Sequence, residues 1–303
     1  MFDMVTKEDI VAGLKELGLR SGDTVVVHSS LSSFGRVEGG ADTVVDAILE
    51  VLGAEGTLVV PTFNFEPGVF DPKTTPSIVG KITEAVRLRP NAIRSLHPTH
   101  SVAAIGPLAE AITEGHENVD PFGRGSALFK VLQVHGKILQ LGTTHTTNSM
   151  VHVAEEIVGV PYLDRQRLVG IRTAQGKVIR RWIRRPGCSQ GFDVIEEPLR
   201  QRGQITETTI GKCRARLMSA RAVVDVAVEL LKSDPEALLC DRPDCGACAE
   251  ARAMVTILDS ERQDKEVIEM ARDEEHTIRM IERQFEGVEL NYFEPEPSDR
   301  SSN

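Results

Sequence analysis

No apolar run in the 303 residues approaches the roughly 18 needed to cross a bilayer, so no membrane span is expected. Five cysteines are too few to indicate a disulfide-stapled fold, and a chain this long can bury a sufficient core without one. Neither GxxxxGK[ST] nor a GxGxxG between a strand and a helix occurs, which lowers the rank of kinases and dehydrogenases. The N-terminal MFDMVTKEDIVAGLKELG lacks the charged-then-apolar order of a secretory signal, and a reducing, cytoplasmic setting is expected. Basic excess is absent as well. The net charge of -10 argues against a duplex nucleic-acid partner and favours cationic ones. Most of that charge lies from Cys240 onward, where 17 acidic residues face 8 basic ones, leaving a nearly neutral body.

What is present reads as alternating strands and helices. Thr6 is placed to cap a helix over 6–17, with Asp9 three residues on and Ile10, Val11, Leu14 and Leu17 at helical spacing. Short β-branched runs follow around 23–30, 57–63, 102–106 and 137–142 without polar alternation, as in strands covered on both faces. The predicted fold is α/β, a mostly parallel central sheet flanked by helices, with a β-hairpin near 167–184 turning at Ala174-Gln-Gly176. Beyond the hairpin, helices are expected to dominate. The expected organisation is a core over 1–235, a helical C-terminal extension over 236–287 and a disordered tail over 288–303.

Ligands of open α/β sheets bind beyond the carboxyl ends of strands, which directs attention to the polar residues after each apolar run. These are His28-Ser29-Ser30, Pro61-Thr62-Phe63-Asn64, His97-Pro-Thr-His-Ser101 and Thr143-Thr-His-Thr-Thr-Asn148. Hydroxyls, amides and imidazoles suit a group transfer assisted by a base.

In order, VVVHSSLSSFG, LVVPTF, FDPKTTPSIVGKITEAVR, RSLHPTHSVAAIG, FGRGSALFKVL, ILQLGTTHTTNSMVHVAEE and LMSARAVVDVAVELL resemble the aminoglycoside 3-N-acetyltransferases over about residues 5–234. The resemblance implies acetyl-coenzyme A as donor, an aminoglycoside amine as acceptor, and a part in antibiotic resistance. It singles out His152 as catalytic base. If Asn148 caps a helix, Met150, Val153, Ala154 and Ile157 form its core stripe and leave His152 beside Glu155 and Glu156. Glu155 matches the acid of the family's His-x-Ala-Glu pattern and is preferred as the residue orienting the imidazole. His28 is a second candidate for catalytic support, or a histidine that shapes its loop.

By the same resemblance Ser29, Ser30, Leu31, Ser101 and Val102 are expected to line the pantetheine arm. Thr62 and Thr147 are candidate oxyanion donors. A polycationic acceptor calls for carboxylates, and Asp71, Glu156 and Asp193 are the choices, with Asn64 as a further contact. His97 and His100 are read as structural or cofactor-contacting. Cys240-x4-Cys245-x2-Cys248 has metal-like spacing, and Cys188 or Cys213 could add a fourth ligand. The reading with fewer assumptions is free, packed thiols with Asp244 capping the following helix, so no metal is expected. The expected assembly is a monomer or homodimer. Two other functions stay open: an acetyltransferase of this fold acting on an amino sugar or nucleotide-linked amine, and a non-catalytic metal-binding scaffold.

Overall fold

The β-branched run TVVVHS forms strand β1 (Thr24–Ser29) near the middle of a seven-stranded sheet. Its side chains alternate between two cores, Val26 joining the apolar cluster on one face and Val25 and Val27 that on the other. Both faces are covered, so the run shows no polar alternation. The structure, a computed structural model, describes residues 4–66, 68–173 and 175–273.

The other strands are β2 (Thr57–Pro61), β3 (Val69–Phe70), β4 (Ile93–Arg94), β5 (Val102–Ile105), β6 (Lys137–Leu141), β7 (Gln166–Arg172), β8 (Val178–Arg184), β9 (Thr206–Ile210) and β10 (Cys213–Ser219). The large sheet has the order β4-β5-β2-β1-β6-β10-β9. β1 pairs in parallel with β2 and β6, and the remaining neighbours pair antiparallel. It follows that only β5 and β10 run against the common direction, in keeping with the expected α/β class. The hairpin β7–β8 is observed, with Leu168 opposite Trp182, and β3 joins it in parallel as a small second sheet.

The helix Lys7–Glu16 starts with the predicted capping box: Thr6 Oγ1 accepts the Asp9 N–H at 3.2 Å, and the Asp9 carboxylate accepts the Thr6 N–H at 2.9 Å. Among the described residues helices dominate after the hairpin as expected, but TETTI and CRARLMS add a strand pair, β9–β10, that was not expected. Their turn passes through Gly211 at φ +61, a conformation glycine adopts without strain.

The chain divides into two compact units, Met1–Val255 and Thr256–Asn303. Leu238, Leu239, Cys248, Ala251 and Val255 belong to the core of the first, which therefore runs past the boundary expected at 235. The described part of the second unit, to Asp273, is helical. The expected end of the extension at 287 and the tail over 288–303 lie outside the described residues. Asp244 does not cap the helix that begins at Gly246; its carboxylate pairs with Arg242 at 3.1 Å. Among the described residues no helix is long and apolar enough to cross a membrane.

Candidate active site

Because β1, β2 and β6 are parallel, their carboxyl ends share one edge of the sheet, and each leads into a polar turn. His28 and Ser29 end β1 opposite Gln140 and Leu141 of β6. The chain leaves β6 through Gly142 at φ +68, where a Cβ would collide with Ser33 Oγ. Asn148 then accepts the Met150 N–H at 3.2 Å, and the helix Val151–Val158 follows. This start is later than the expected cap at Asn148; Met150, Val153 and Ala154 are buried as expected, but Ile157 is 47% exposed, and His152 and Glu155 are buried as well.

Beside this edge lies a cavity of about 520 Å³ whose wall includes His28, Ser29, Phe122, Thr147 and His152. His152 Nδ1 lies 2.6 Å from Glu155 Oε2, and the Tyr162 hydroxyl donates to Glu155 Oε1 at 3.3 Å. Glu155 is fully buried, so these partners supply the hydrogen bonds that solvent cannot. The Phe122 ring stacks on His152 at 4.8 Å and 19°, and Phe192 meets it edge-on at 4.8 Å. One ring nitrogen is bound, Phe122 covers a face of the imidazole, and Nε2 has no hydrogen bond among the described residues in a side chain that lines the cavity.

His28 is held neutral by burial and, secondarily, by nearby His145, which push its pKa down to about 3. Its Nε2 and the Ser29 hydroxyl are buried without a hydrogen-bond partner among the described residues, although both residues belong to the cavity wall. Buried polar atoms are rarely left so, and these two can serve a bound molecule. Behind the Thr143–Asn148 turn, Arg216 donates to Glu196 and to the Thr143 carbonyl, both at 2.6 Å. Burial opposes ionisation of Glu196, but Arg216 and then His145 overcome it, leaving its carboxyl below the ordinary range. His145 Nε2 lies 2.9 Å from Glu196 without hydrogen-bonding geometry, and burial and Arg216 lower its pKa to about 4.

Several expected site residues lie elsewhere. Thr62 Oγ1 donates to the Ser101 carbonyl at 3.0 Å, Ser101 Oγ donates to the Thr62 carbonyl at 2.9 Å, and the Val102 N–H donates to Ser95 Oγ at 2.9 Å. These groups satisfy one another where β2 pairs with β5 and are not part of the cavity wall. Ser30 and Leu31, at the 3-10 turn Leu31–Phe34, are outside the wall too. Asn64 donates to the Pro76 carbonyl and accepts the Glu66 N–H, both at 2.9 Å, closing its own loop.

None of the three chosen carboxylates is in the wall. Asp71 accepts the Lys73 N–H at 2.9 Å and pairs with Arg172 at 3.3 Å. Asp193 accepts the His145 N–H at 2.8 Å. Glu156 lies 3.3 Å from Arg184, and its pKa is raised because burial outweighs that arginine. His97 accepts the amides of Thr99 and His100 at 3.4 and 2.9 Å and shapes its turn. His100 reaches the cavity wall beside Phe63 and Phe122. Burial holds both histidines well below the ordinary imidazole range.

The wall also contains residues the sequence reading did not select. Phe63, Phe65 and Phe122 make part of it aromatic, and Arg167, Arg184 and Arg185 of the hairpin make part of it cationic. The run RRWIRR was a visible signal for Arg184 and Arg185 and FGRG for Phe122, but neither says which surface it faces.

The model of the aminoglycoside 3-N-acetyltransferase family matches residues 26–232. Aminoglycoside N(3)-acetyltransferase VII of Streptomyces paromomycinus is 30% identical over 262 residues, covering 74% of this chain and 90% of that protein. Among solved structures, a histidine-to-alanine mutant of aminoglycoside acetyltransferase AAC(3)-IVa in complex with a gentamicin aligns with a TM-score of 0.77 at 30% identity, over 84% of this chain and 99% of that one. AAC-IIIb in a binary complex with CoASH aligns with a TM-score of 0.69 at 27% identity, over 76% of this chain and 97% of that one.

Proposed function

This chain belongs to the aminoglycoside 3-N-acetyltransferase family, and on that premise we propose that it moves the acetyl group of acetyl-coenzyme A directly onto the acceptor's 3-amino group with His152 as base. The observation that carries this reading is the 2.6 Å contact between His152 Nδ1 and Glu155 at the cavity wall. An alkylamine with a pKa near 10.4 is mostly protonated at neutral pH and must lose a proton to become a nucleophile. Nδ1 bound to a buried carboxylate leaves Nε2 as the acceptor, and Glu155 stabilises the imidazolium that forms. One proton of the ammonium leaves to solvent; the amine attacks the thioester carbonyl as His152 takes the second proton from its nitrogen, the C–S bond breaks as the tetrahedral intermediate collapses, and the imidazolium gives that proton to the departing thiolate.

The oxyanion of that intermediate needs donors. Neutral His28, the free Ser29 hydroxyl and Thr147 share the wall with His152. Arg167 and Arg185 offer guanidinium groups suited to the phosphates of the coenzyme. Asp71, Glu156 and Asp193 would attract the cationic acceptor from outside the wall, through their field. The coenzyme and gentamicin complexes of the aligned structures support this choice of donor and acceptor.

The test is release of free thiol from acetyl-coenzyme A against a panel of aminoglycosides, amino sugars and nucleotide-linked amines, with the acetylated position found by NMR. Release with aminoglycosides and a 3-N-acetyl product are expected. Turnover confined to another amine class would overturn the reading.

A further inference from the structure

We infer that Cys188, Cys240, Cys245 and Cys248 form a tetrahedral thiolate site for one structural zinc ion. The four ligand sulfurs all lie within 4.8 Å of one another, and every cysteine of the chain is a free thiol. Cys188 and Cys240 are 3.9 Å apart between sulfurs, and Cys240 and Cys248 are 3.6 Å apart. Four sulfurs about 2.3 Å from a central zinc stand about 3.8 Å from each other along the edges of a tetrahedron. The two separations match this edge, and no other pair exceeds it by more than about 1 Å. Uncharged thiols packed as apolar side chains have no reason to converge as a group of four.

Sequence spacing alone supplies three ligands, and the fold supplies the fourth. Gly191 lets the Cys188 loop lie flat against the other segment, since a Cβ there would collide with the Leu238 carbonyl and the Cys240 amide. Backbone amides are aimed at two of the sulfurs: Gln190 N–H at Cys188 and Cys240 N–H at Cys248, both at 3.4 Å. Such N–H···S contacts stabilise metal-bound thiolates and orient them. Cys240 and Cys248 are buried and Cys188 and Cys245 half-buried, and four protein sulfurs complete a tetrahedral sphere with no position left for a substrate. Binding converts four thiols and one zinc dication into a tetrathiolate complex of charge -2 and releases four protons to solvent.

The site has a consequence for the neighbouring cavity. Cys188 belongs to its wall, and Phe192, four residues on, is the ring packed edge-on against His152. The ion would pin this loop to the segment around Cys240–Cys248 and so hold one side of the imidazole's surroundings.

Elemental analysis of the full chain, purified under reductant and dialysed without added metal, is the first test. One zinc per chain is expected. The four thiols should react with a disulfide reagent only after a strong chelator is added, and the chelator should lower the thermal midpoint. Cobalt introduced in place of zinc should show thiolate-to-cobalt charge transfer and the intense visible bands of tetrahedral coordination. Cys245→Ser, at a half-exposed position, should retain zinc several-fold more weakly than wild type. Wild-type protein with well under one zinc per chain, with freely reactive thiols, with disulfides among the four, or with an octahedral cobalt spectrum would overturn the inference.

Discussion

Lowering the pH from 7 to 5 should destabilise this protein far more than its acidic composition suggests, because its buried imidazoles refuse protons that the unfolded chain accepts. Burial pushes His28 down to about 3 and His116 and His145 to about 4, and it holds His97 and His100 well below the ordinary range. For a cationic group with a lowered native pKa, the stability is complete above the unfolded value of about 6.5 and is lost as pH falls toward the native value. Each such histidine removes about 2 kcal/mol between pH 7 and 5. His28, His116 and His145 together remove roughly 6 kcal/mol, comparable to the whole stability of many domains. His97 and His100 act in the same direction, whereas Glu156, whose pKa is raised by burial, works against them.

Urea unfolding followed by far-UV circular dichroism at several pH values between 7 and 5 measures this directly. The slope should approach about 1.4 kcal/mol per pH unit for each histidine that takes up a proton. His116→Gln should reduce the slope by about one proton, because it removes one titrating group. A wild-type stability that changes by less than about 1 kcal/mol across this range would refute the reasoning.

Glu155→Gln keeps a hydrogen-bonding partner for His152 but removes its charge, so kcat should fall by roughly 10- to 100-fold with the KM for acetyl-coenzyme A little changed; steady-state kinetics on both substrates checks this. Phe122→Ala removes the ring stacked on His152 and leaves a hole in the core, which should cost about 3–5 kcal/mol in chemical denaturation. Replacing Arg167 and Arg185 together by Gln should raise the KM for acetyl-coenzyme A at least several-fold and leave that for the aminoglycoside nearly unchanged; the opposite pattern would assign these arginines to another role.

Elements set by local pattern were legible in the sequence. The Thr6–Asp9 capping box, the β-branched strand at Thr24–Ser29 and the hairpin around Gly176 each carry their signal within a few residues. The β9 strand was missed because it is the edge of the sheet, where TETTI is largely exposed and reads as ordinary polar sequence. In the site, the family resemblance singled out His152 and Glu155, and their contact was legible because a helix puts positions three apart on one face.

Residues whose roles depend on distant partners were not. Thr62 and Ser101 stand at strand ends, as a ligand site requires, but the antiparallel pairing of β2 with β5 brings their polar groups onto each other. Phe122 reaches His152, and Cys188 reaches Cys240, only through tertiary packing that spacing along the chain does not encode.

The central claim is that His152 takes the proton from the attacking amine, and the most direct measurement compares His152→Ala with wild type in steady-state turnover and in coenzyme A binding by calorimetry. Turnover should fall roughly 10²-fold or more, the scale of a lost general base, while coenzyme A still binds with near wild-type affinity and the circular dichroism spectrum is retained. A folded His152→Ala protein that acetylates aminoglycosides at the wild-type rate would contradict the account.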